Sequence, residues 1–171
     1  MRAWLAAAEA SLLRSLVGQV MTLVAAEDKG TSVDELELLF SGVPAGEDPT
    51  TPEDPVLARL LPDGYSDDPE AAGEFRKYTE ASLRSAKHQA AQDMLATLPL
   101  AGGRVQLTGD QALAWLKALN DVRLALGVRL GVTEDFEEQW GKLAQDDPQW
   151  TAFEVYAWLG AVQESLVQAL A

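Results

Sequence analysis

Four polar residues stand where helical periodicity places apolar neighbours. Asn120 and Arg123 fall within one apolar arc, Gln163 within another, and Glu9 on the apolar face of the first helix. A buried guanidinium requires a carboxylate, because an unpaired buried charge costs several kcal/mol. Glu9 is the expected partner of Arg123, with Glu74, Glu80 and Glu164 as alternatives. Such a polar centre could bind a small molecule or a metal. It could equally be a structural network that fixes helix register, and the absence of an accompanying nucleophile favours this second role.

A second group is basic. Arg76, Lys77, Arg84 and Lys87 share an arc of about 100° on one helix. Four of the 13 basic residues thus gather on one face of an acidic protein, where they could dock an acidic partner. Glu80 lies within the same arc, so internal pairs such as Glu80–Arg84 are the competing reading. His88, at the border of this face, reads as an ordinary surface histidine.

Other chemistries are absent or weak. There is no cysteine and one histidine, which excludes disulfides, thiolate metal sites and a two-histidine metal site. Asp67, Asp68, Glu70 and Glu74 form an acidic cluster, but a helix start attracts acids through its dipole alone. No calcium loop, Walker loop, dinucleotide fingerprint or nucleophile elbow occurs, so neither an enzyme nor a cofactor is expected. With 27 acidic and 13 basic residues the net charge is −14, which disfavours direct contact with nucleic acid.

The 171 residues, 47 % apolar and 23 % charged, suit one soluble domain spanning 1–171. No signal peptide or membrane span is recognisable, so the expected compartment is the cytoplasm. The elements that must position the polar residues are helices. The first is expected from about Ala7 to Ala26, and a short second one after Thr31 or Ser32. An acidic Pro/Gly/Thr-rich loop is expected at 41–54. Asp54-Pro55, Asp68-Pro69 and Asp147-Pro148 each read as a helix start, with aspartate as cap and proline in the first turn. The helix opened by Asp68-Pro69 runs to about Thr97, a length of about 43 Å. Thr108 and Gln111 have capping-box spacing before a helix that ends near Gly131, and Thr133 is expected to cap another. The helix around Asn120 and the last helix are expected at the centre, where Gly127 and Gly160 permit close approach. The fold class is therefore an all-α bundle with a long central helix. A short two-stranded ribbon, Ala3–Leu5 with Arg104–Leu107, is the even alternative to a helix that begins at Arg2. Trp4, Trp140, Trp150 and Trp158 could serve a homodimer interface.

Several blocks carry a family resemblance. They are Leu60-Leu61-Pro62-Asp63-Gly64-Tyr65, Asp67 to Ala72 with Glu74-Phe75-Arg76, and Thr79-Glu80 with Leu83-Arg84. The most specific runs from Trp115 through Asn120-Asp121-Val122-Arg123 to Asp135, and the tail from Val155 to Val167 continues it. With these the chain resembles an actinobacterial family of unknown function that includes AosR-like oxidative-stress transcriptional regulators. The resemblance implies a mostly helical protein that regulates through a protein partner, such as a sigma factor of RNA polymerase, without direct DNA binding. A chain without cysteine cannot sense oxidant through a thiol.

Overall fold

A computed structural model describes residues 2–25, 51–65 and 67–171. The expected second helix, and the loop up to Thr50, lie outside the described residues. The order is β1 (Arg2–Leu5), α1 (Ala7–Ala25), α2 (Pro55–Leu60), α3 (Pro69–Thr97), β2 (Gly103–Gln106), α4 (Gly109–Leu130), α5 (Phe136–Gly141) and α6 (Trp150–Leu170). The all-α bundle with one small ribbon is thus the observed fold. β1 and β2 are antiparallel, with Ala3 opposite Val105 and Leu5 opposite Gly103.

Local chemistry accounts for most boundaries. The Asp54 carboxylate accepts from the Val56 N–H at 2.7 Å and the Asp68 carboxylate from Ala71 at 3.1 Å, with proline in the first turn of each helix. Thr108 and Gln111 form a reciprocal capping box. Gly131 ends α4 in the left-handed region at φ 63°. Two expected starts are displaced. Thr133 caps nothing: its N–H donates to Gln139 Oε1, and α5 begins at Phe136 without a side-chain cap. Asp147 closes a turn on Gln149, and α6 begins at Trp150.

The centre is α4, which packs against α1, α2, α3 and α6. Ala10, Leu13, Val17, Val20 and Val24 form the buried stripe of α1 at alternating spacings of three and four residues. The buried face of α4 is Ala112, Trp115, Ala118, Leu119, Val122 and Ala125. It is rotated away from the arc expected from its leucines: Leu113 and Asn120 are exposed. Alanines dominate because small side chains let neighbouring helices approach α4 on several sides. The last helix is not central. Its main contact is α4 alone, and Val167 and Leu170 face outward.

Aromatic rings dock α5 onto α6. Phe136 stacks on Phe153 at 5.6 Å and meets Tyr156 at 5.0 Å, while Trp140 lies 5.5 Å from Trp150. Trp140 and Trp150 are therefore engaged within the chain, and Trp158 packs partly on the core. Of the four tryptophans expected at a dimer interface, Trp4 stays 75 % exposed.

Candidate functional site

The charged residues of α3 form a ladder directed into the bundle. Arg76 and Arg84 are only 4 % and 8 % exposed. The Arg76 Nη1 donates to Glu80 Oε2 at 2.6 Å, and its Nη2 donates to the Leu61 carbonyl at 3.1 Å and to Asp63. Arg84 reaches Glu80 Oε1 through Nε at 2.9 Å and Nη2 at 2.7 Å. Its Nη1 donates to the Val24 carbonyl at 3.0 Å, placing a cation at the negative end of α1. Lys87 Nζ donates to Asp121 Oδ1 at 2.6 Å, joining α3 to α4. Three of the four residues expected on a basic docking face are thus engaged inside the protein, and Lys77 remains at the surface.

The environment sets the charge states. Burial pushes the Glu80 carboxyl up, but hydrogen bonds from Arg76 and Arg84 outweigh it, and the net result lies below the usual glutamate value. Asp63 is also lowered, by hydrogen bonds from Thr51 and then Arg76. Burial pulls Arg76 down, yet Glu80 and Asp63 hold it above its ordinary value. At Asp121 burial dominates and raises the carboxyl despite the bond from Lys87. Sequence reasoning missed Asp121. Its signal was a position beside Val122 and one turn before Ala125, on the alanine-rich side of α4.

The motif before α3 is explained by the same ladder. Leu60 and Leu61 are buried. Asp63 holds Arg76 and accepts from Thr51 Oγ1 at 2.7 Å. At Gly64 an added Cβ would come within 2.6 Å of the Phe75 ring, so glycine makes room for Phe75. Tyr65 meets that ring edge-on at 5.9 Å. Tyr65, Phe75, Leu83 and the 73 % exposed Tyr78 leave an aromatic and aliphatic surface on the first half of α3.

The expected Glu9–Arg123 pair does not form. Glu9 accepts from the Ala6 N–H at 2.7 Å and caps the start of α1. Asn120 is exposed and belongs to no buried network. Arg123 Nη1 donates instead to Oε1 of the buried Gln163 at 2.8 Å, and the guanidinium lies 4.8 Å from the centre of the Tyr156 ring. The packing is reciprocal: Arg123 of α4 rests over Gly160 of α6, and Tyr156 of α6 rests over Gly127 of α4. Among the described residues no group of three His, Asp or Glu side chains could hold a metal ion, and no helix is long and apolar enough to cross a membrane.

A helical bundle centred on α4, with a buried ion ladder along α3 and no recognisable catalytic set among the described residues, is the class of protein these features define. The chain matches the domain of unknown function DUF2017 over residues 1–170 and belongs to that family. It is 41 % identical over 175 residues to the putative oxidative stress regulator AosR of Mycobacterium leprae, covering 95 % of this chain and 78 % of that protein. It is 40 % identical over 182 residues to the oxidative stress regulator AosR of Mycobacterium tuberculosis H37Rv, covering 99 % and 81 %. No solved structure matches the chain.

Proposed function

We propose that this chain is a regulatory protein of the oxidative-stress response that acts by binding another protein rather than DNA. The names of its relatives support the regulatory role. The observation that carries the mechanism is the exposed surface of Tyr65, Phe75, Tyr78 and Leu83, held in place by Gly64 and by the ladder beneath it. Exposed aromatic side chains are typical anchors of protein interfaces. The exposed Asp67, Asp68, Glu70 and Glu74 stand beside it, and the chain carries a net charge of −14. The partner surface is therefore apolar at its centre and rimmed by lysine and arginine. A sigma factor is the first partner to test, and regulation would then be exerted on RNA polymerase without contact to the phosphate backbone.

The test is capture of purified sigma factors by the tagged protein at low and high salt, repeated with Phe75→Ala and Tyr78→Ala. Saturable binding that weakens with salt and fails in the two variants supports the reading. Binding that ignores both substitutions refutes the docking surface. A retarded DNA band with the protein alone refutes the mechanism.

A further inference from the structure

We infer that the cleft between α2, α4 and α6 is a binding site for a small organic carboxylate, gripped by Arg59 and Arg123. The cleft has a volume of about 230 Å³ and is lined by Arg59, Arg123, Leu124, Val128, Val132 and Tyr156, together with Gly127 and Gly131. Among the described residues both charged side chains in that lining are arginines, and no acid is among them. This is unusual within a chain of net charge −14. Elsewhere the protein neutralises its buried cations with its own acids: Arg76 has Asp63 and Glu80, Arg84 has Glu80, and Lys87 has Asp121. Arg123 has none among the described residues. One nitrogen, Nη1, donates to a neutral amide, and Nε is buried without a hydrogen-bond partner.

A partly buried guanidinium with no acid beside it among the described residues, lining an open cleft, favours an anion there. With Nη1 held by Gln163 and Nε buried, Nη2 is the Arg123 nitrogen left to donate a charge-assisted bond to a carboxylate oxygen. Arg59, exposed in the last turn of α2, supplies a second cation from the opposite element. Leu124, Val128 and Val132 offer an apolar wall for a short carbon skeleton. The volume lies below the roughly 300–1,000 Å³ of pockets for drug-sized molecules, which limits the ligand to a few carbons. Tyr156 fixes the Arg123 guanidinium on its face, so the cation is already oriented before an anion arrives. Occupancy would also tie α6, whose main contact is α4, more firmly to the bundle.

The experiment is titration of the full chain with isovalerate, followed by backbone amide NMR shifts, with neutral isovaleramide and inorganic phosphate as parallel probes. Expected are saturable shifts around Gly127, Val132 and Tyr156 with isovalerate and none with isovaleramide. Arg59→Ala should weaken the affinity about tenfold, as loss of one charge-assisted bond does. Arg123→Met should abolish it. Because Arg59 is exposed, its variant keeps the test decisive even if Arg123→Met fails to fold. No saturable shift with isovalerate overturns the proposal. So does binding that Arg59→Ala leaves unchanged, or binding of phosphate alone.

Discussion

Glu80 is the most demanding single residue of the ladder, because one carboxylate serves two buried guanidinium groups. Glu80→Ala would leave Arg76 with Asp63 as its acid and would remove the carboxylate that Arg84 holds through two nitrogens, and it is expected to destabilise by about 3 kcal/mol in urea denaturation. The acids also give opposing pH dependences. Glu80 and Asp63 have lowered folded values, so their contribution is complete above the ordinary carboxylate range and is lost as pH falls through the folded value. Asp121 is raised, so the folded state holds its proton more readily and stability declines as pH climbs from the ordinary aspartate value to the folded one. Glu80→Gln should therefore flatten the acid-side loss measured between about pH 3 and pH 5, and Asp121→Asn should steepen the net rise with pH over that range. Arg123→Ala strands only the Gln163 carbonyl, not a carboxylate. Its expected cost is about 1–2 kcal/mol, and a loss well beyond that by the same denaturation assay would reveal an acid paired with Arg123.

Elements were legible wherever the chain announces its own boundaries. The caps at Asp54, Asp68 and Thr108 are local, needing only side-chain oxygen and backbone N–H within a few residues, and all three hold. The starts at Thr133 and Asp147 are displaced: the Thr133 N–H is taken by Gln139 and the Asp147 carboxylate closes a turn on Gln149, each in a turn that precedes the helix. The face of α4 differs from the expected arc because its leucines draw that arc, whereas the buried face joins Leu119 with Trp115, Val122 and three alanines. That arc placed Asn120 inside and left Asp121 unnoticed. The ribbon–helix junction is a further test at this scale. Gly102 has φ 77°, and a Cβ there would lie 2.6 Å from the Ala7 nitrogen. Gly102→Ala is expected to cost about 2–3 kcal/mol. Gly18→Ala, within α1 and with nothing within 4 Å, should stabilise by about 0.5–1 kcal/mol, and urea denaturation of both glycine variants checks the two signs.

Across the whole molecule, stability concentrates around α4, the helix that touches most of the others. Leu119 is fully buried at its centre, and Leu119→Ala should cost about 2–5 kcal/mol. Leu100→Ala, at an exposed position, should stay within about 0.5 kcal/mol, and equal losses at both sites would refute this placement of the core. The ribbon shows this dependence on the whole most directly. Leu5 and Gly103 are neighbours in space but about a hundred positions apart in sequence. Bringing them together closes a loop that contains α1, α2 and α3, at an entropic cost that four residues of strand pairing cannot offset alone. The two strands should therefore join late, after α1 and α3 have packed. The exposed indole of Trp4, lying on one of those strands, would then report the last event of folding rather than the first.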